Sequence, residues 1–139
     1  MTPSQILEVG KLHFEEGIPG FNDLKFFRLI QEEPNSPLFS LMSLEAENIG
    51  FWLIDPFPFF QDYEFKLKDS HKQSLEIKDD TPISVLNILT VRSGDSSTVN
   101  LKAPVIINLE NKKAKQVILE EERFEVRQPL MHHASKQDK

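Results

Sequence analysis

Between residues 99 and 107 the odd positions are Val99, Leu101, Ala103, Val105 and Ile107. The even positions from 98 to 108 are Thr, Asn, Lys, Pro, Ile and Asn. This period of two predicts a half-buried strand pair, and Pro104 places a bend or bulge at its centre, because proline cannot donate to a ladder. Residues 83–91 alternate as well, but Leu86 and Ile88 make the second face apolar in the middle. A strand of that kind is covered on both sides. Residues 24–30, 38–44, 51–54 and 116–120 read as further strands, and 6–14 supplies one or two more at the N-terminus.

The punctuation agrees with a strand-rich chain. Ile18-Pro19-Gly20-Phe21 suits a type II turn, with proline presetting φ at its second position and glycine supplying positive φ at its third. Glu33-Pro34-Asn35-Ser36-Pro37 and Ser93-Gly94-Asp95-Ser96-Ser97 are loops by composition. Asn111-Lys112-Lys113-Ala114 reads as a hairpin tip. Asp69 or Ser70 is positioned to cap one short helix over 71–77. Many short strands with little helix predict an all-β fold, an antiparallel barrel-like single domain with at most one or two short helices. That domain spans 1–131. Residues 132–139 lack apolar periodicity and read as a frayed tail.

Composition narrows the function. The 139 residues include 16 Lys and Arg against 22 Asp and Glu, a net charge of −6. A chain of this length hides about two-thirds of its unfolded surface on folding, so it needs no covalent staples. Cysteine is absent, which excludes disulfides, thiolate metal sites and thiol catalysis, and suits a cytoplasmic protein. No apolar run reaches the roughly 18 residues of a membrane span, and Met1-Thr2-Pro3-Ser4-Gln5 does not read as a signal peptide. The acidic balance opposes direct gripping of phosphates, so no nucleic acid binding is expected. Lys112, Lys113 and Lys115 crowd one hairpin tip, where lysines serve solubility. His13, His71, His132 and His133 lack metal-ligand spacing, and no nucleophile elbow, phosphate cradle or dinucleotide glycine motif occurs. No catalytic residue, cofactor or metal is expected. Protein partners or small ligands remain.

The densest feature is the stretch 51–65, which holds seven of the thirteen aromatic residues. Phe51-Trp52-Leu53-Ile54 reads as a buried strand, so Trp52 is expected in the core. Asp55 and Phe57 each precede a proline, which predicts a stiff extended loop. Such a loop presents aromatic anchors beside acidic groups to a partner, or else its phenylalanines plug one end of the barrel. The candidate protein-binding residues are Phe59, Phe60, Asp62, Tyr63 and Glu64. Asp55, Asp62 and Glu64 also fit an alternative, a small-ligand-binding barrel or an enzyme with a pocket near that segment. An enclosed cavity with converging polar groups would favour the alternative, and an exposed apolar patch the anchor.

Six collinear strings carry a resemblance. Phe14-Glu15-Glu16-Gly17-Ile18-Pro19-Gly20-Phe21 comes first, then Asp55-Pro56-Phe57 with Phe59-Phe60-Gln61-Asp62-Tyr63-Glu64. Asn87-Ile88-Leu89-Thr90-Val91, the stretch from Asn100 to Asn108, Gln116-Val117-Ile118-Leu119 and Arg127-Gln128-Pro129-Leu130 complete the set. In order and spacing the chain resembles the FliW family of bacterial flagellar assembly factors from about Phe14 to Leu130. It departs at Asn22, where an acidic residue is common, and at Phe124, where tyrosine is. The resemblance implies a non-enzymatic, barrel-like protein, monomeric when free, with two alternating partners. One is CsrA, a dimeric RNA-binding repressor of the flagellin message, which the protein holds off that message. The other is flagellin itself, so that flagellin translation follows flagellin export.

Overall fold

The computed structural model describes residues 8–92 and 96–130. The readings made for residues 1–7, for the loop at 93–95 and for the tail with His132 and His133 lie outside them. The first four strands, β1 (Glu8–His13), β2 (Phe26–Gln31), β3 (Leu38–Ser43) and β4 (Gly50–Ile54), form an antiparallel meander. Alternation decides which side chains turn inward. Leu12, Phe27, Leu29, Phe39, Leu41 and Leu53 are buried together on the concave face, while their sequence neighbours Lys11, Arg28 and Met42 remain exposed on the other. Residues 18–21 form the expected turn: the Phe21 N–H donates to the Ile18 carbonyl at 2.6 Å and Gly20 takes φ 91°.

Strand β5 (Ile83–Val91) is the hub. It pairs with β4 from Trp52↔Leu89 to Ile54↔Asn87, and also with β6 (Ser97–Val99) and β7 (Val105–Asn108). β6 and β7 are the strand pair that the pattern at 99–107 predicts, separated by residues 100–104. From Leu89↔Val99 to Leu86↔Val105, three steps along β5 match six along the other chain, so three extra residues bulge out just before Pro104. A turn at 109–113 leads into β8 (Ala114–Gln116), and β9 (Gln128–Pro129) pairs with β6. A parallel bridge between His13 and Lys113, with the His13 N–H on the Lys112 carbonyl at 2.9 Å, brings β8 beside β1. The sheet therefore curls into a barrel-like shape and is joined at this seam by that bridge rather than by a full ladder.

Two cores share the hub strands. The inner one fills the concave face. The outer one lies on the convex face, where Ile54, Leu89, Val99 and Ile106 are covered by Tyr63, Leu75, Leu101, Val117, Leu119 and Phe124. This double cover is why β5 is apolar on both faces, and why all four residues of β7 are buried. Buried Asn108 ties the covering layer down: its Nδ2 donates to the Leu75 carbonyl at 2.8 Å, and its Oδ1 accepts the Glu110 N–H at 2.8 Å.

The helix, α1 (Asp69–Leu75), differs from expectation at its start. Its N-cap is Lys68, with no side-chain cap, rather than Asp69 or Ser70. Packing of Leu75 into the outer core and the hold of Asn108 on its last turn fix it instead. Trp52 is a second correction, being 43% exposed on the convex face. Phe51 and Leu53 take the inward positions of β4. On the outward side the chain after residue 55 covers Ile54 and stops short of Trp52.

Candidate functional site

Residues 55–65 leave β4 at the edge of the outer core and are not extended. The Asp55 carboxylate accepts the Phe57 N–H at 3.1 Å. The Pro56 carbonyl accepts the N–H groups of Phe59 and Phe60 at 3.0 and 2.8 Å, and the Phe60 carbonyl accepts that of Tyr63 at 3.0 Å. Two consecutive turns result. The prolines exclude a helix as expected, but these local acceptors fold the chain back where proline propensity alone predicts an extended loop.

The turns divide the aromatic residues between two jobs. Phe57 and Phe59 are 43% and 42% exposed. Phe60 is half-buried against the outer core. Tyr63 is buried at its centre, which corrects its reading as an exposed anchor. Its hydroxyl donates to the Leu101 carbonyl at 2.7 Å and accepts from Asn87 Nδ2 at 3.1 Å. Asn87 Nδ2 also donates to the Asn100 carbonyl at 2.8 Å, so Tyr63 locks the turns onto the bulge between β6 and β7. Burial pushes the Tyr63 phenol up to about 12, against the pull of the Asn87 hydrogen bond and with a smaller push from Glu121. Its ring packs edge-on against Phe124 at 5.2 Å and also meets Phe57 and Phe65.

Of the five residues singled out from sequence, Phe59, Asp62 and Glu64 are exposed, Phe60 is half-buried and Tyr63 is structural. Their neighbours come from residues 120–125, where only Phe124 stands out in the sequence, as a departure from the family pattern. Arg123 Nη2 donates to the Glu64 carbonyl at 2.8 Å, and its guanidinium lies over the Phe124 ring at 4.2 Å. The signal was a lone arginine and phenylalanine inside an acidic run, Glu120-Glu121-Glu122-Arg123-Phe124-Glu125. The two segments frame an open depression of about 400 Å³ whose walls include Phe59, Phe60, Leu101 and Phe124, with Asp62 and Arg123 among its polar groups.

Two charged groups here, Arg123 and Asp55, are engaged locally. The guanidinium is engaged with the Glu64 carbonyl and with Glu121 at 3.7 Å, and the Asp55 carboxylate with its own turn. Among the described residues no group of three or more His, Asp or Glu side chains is placed to hold a metal ion. His13 stacks on Phe26 at a ring separation of 4.7 Å. His71 lies on α1, where burial and then the cations of Lys115 and Lys68 lower its pKa.

Comparison with known proteins shows what the whole chain is similar to. The family model described as "FliW protein" matches residues 1–130. A protein of Thermosipho africanus named "Flagellar assembly factor FliW" is 40% identical over 119 residues, covering 84% of this chain and 82% of the relative. The protein of that name from Bacillus subtilis is 39% identical over 118 residues, covering 84% and 82%. A solved structure, "Crystal structure of the flagellar assembly factor FliW", superposes with a TM-score of 0.82 at 38% identity. It covers 91% of this chain and 89% of its own.

Proposed function

The chain belongs to the FliW family, and on that premise we propose that it is a flagellar assembly factor that works by binding proteins. Its partners are CsrA and flagellin. Bound to this chain, CsrA is kept from the flagellin message; free flagellin takes the chain away and lets CsrA repress. The chain acts in the cytoplasm as a monomer when free, residues 1–131 form one folding unit, and it performs no catalysis and binds no RNA of its own. Among the described residues no helix is long and apolar enough to cross a membrane.

The observation that carries the reading is the pair of solvent-exposed rings, Phe57 and Phe59, held by turns whose far end is locked by buried Tyr63. Exposed aromatics on a rigid base cost little entropy to dock, which is the character of an interface hot spot. Carboxylates around them give the face the sign that attracts a basic RNA-binding protein and repels the RNA it would carry. The test is a pull-down of cytosolic partners with the wild-type protein and with Phe59→Ala, each first shown to melt alike. Capture of CsrA and flagellin by the wild type, weakened in the variant, supports the reading. Capture of neither by the wild type overturns it.

A further inference from the structure

The groove beside Phe59 has walls of phenylalanine and leucine, and its setting is mostly acidic, with Arg123 in its lining and Lys102 Nζ donating to the Glu121 carbonyl at 2.9 Å. Residues 55–65 and 119–126, the two segments that frame it, contain seven of the 22 acidic residues and one of the 16 basic ones, Arg123. Fifteen of each sign are left in the remainder of the chain. These nineteen residues therefore carry a charge equal to the whole net charge of −6. Part of it is compensated locally: Glu120 pairs with Lys68 at 2.5 Å and Glu121 with Arg123. Asp62, Glu64, Glu122 and Glu125 are exposed and pair with no cation among the described residues.

We propose that the groove accepts an apolar side chain presented by a cationic protein segment, with flanking Lys or Arg side chains answering the unpaired carboxylates. This rests on the reading of the face as a protein-binding surface and adds the chemistry of the partner that fits it. A neutral apolar partner would bury carboxylates without a counter-charge, which is costly. Nucleic acid and anionic lipid meet the wrong sign. A basic segment without an apolar residue would leave Phe59 in water. Only the combination satisfies both halves of the face.

The experiment follows backbone amide shifts of the ¹⁵N-labelled protein during titration with three synthetic peptides. One is amphipathic with Leu and Lys, the second has Ser for each Lys, and the third has Ala for each Leu. The Leu–Lys peptide is expected to move amides of residues 57–64 and 121–125. Its affinity should fall about tenfold with either replacement, with Phe59→Ala, and on raising salt from about 50 to about 500 mM. Shifts centred instead on another pair of adjacent carboxylates, Glu32-Glu33 or Asp79-Asp80, or equal binding of the Ser peptide, would overturn the proposal. Parallel titrations with CsrA and flagellin keep the two claims separate. If neither protein binds while the basic peptide seats in the groove, the assigned function fails and the groove's chemistry stands. If both bind while the peptide goes elsewhere, the reverse holds.

Discussion

Replacing Tyr63 with phenylalanine removes one oxygen atom and tests the lock beneath the exposed rings. The hydroxyl donates to the Leu101 carbonyl at 2.7 Å and accepts from Asn87 Nδ2 at 3.1 Å. Asn87 keeps its bond to the Asn100 carbonyl, but the Leu101 carbonyl loses its tyrosine donor inside the outer core. A net hydrogen bond contributes about 1 kcal/mol, and a buried group left unsatisfied costs about 1–3 kcal/mol. Tyr63→Phe should therefore cost about 1–3 kcal/mol, well within the roughly 5–15 kcal/mol of a small protein, so the variant folds. Urea denaturation at neutral pH reads it as a lowered midpoint with an unchanged slope. The phenol is acidic, and burial raises its folded pKa from 10.0 to about 12. Its contribution is thus complete below pH 10 and is lost as pH rises through 12. The stability gap between wild type and Tyr63→Phe should narrow over that window. A change below about 0.5 kcal/mol, or a gap constant to pH 12, would refute the lock.

Three other substitutions probe the account. Trp52→Ala should cost about 2 kcal/mol rather than the 3–5 kcal/mol of a fully buried aromatic, and acrylamide should readily quench Trp52, the sole tryptophan. Asn108→Ala strips partners from the Leu75 carbonyl and the Glu110 N–H and should cost about 3 kcal/mol by urea denaturation, with faster hydrogen exchange in α1. Gly17→Ala should lower the melting temperature by several degrees, because Gly17 has φ 72° and a Cβ there would lie 2.6 Å from the Asn22 backbone.

Much of the fold was legible because alternation is a strong signal where one face meets solvent. The strand pair at 99–107 was legible with its bend or bulge near Pro104, and β5 as a strand covered on both faces, as the two cores require. The failures share a cause. Phe51-Trp52-Leu53-Ile54 is apolar throughout, so it carries no parity from which to learn that Trp52 faces out. That follows only from the pairing with β3 and from where the covering chain ends. Tyr63 reads the same as an exposed anchor or as a buried donor, since its partners Leu101 and Asn87 are 38 and 24 residues away. The aromatic half of the candidate site was visible as local density. Its other half, Arg123 and Phe124, was hidden because nothing local joins residue 123 to residue 64.

The central claim is that this chain relieves repression by binding the repressor and not the message. Labelled flagellin-message RNA bound to CsrA, followed by fluorescence anisotropy at physiological salt as the purified protein is added, tests it most directly. The account predicts release of RNA from CsrA, recapture when flagellin is then added in excess, and no anisotropy change with RNA and this protein alone. RNA that stays on CsrA at saturating protein, or tight salt-sensitive binding of RNA by the isolated protein, would contradict it.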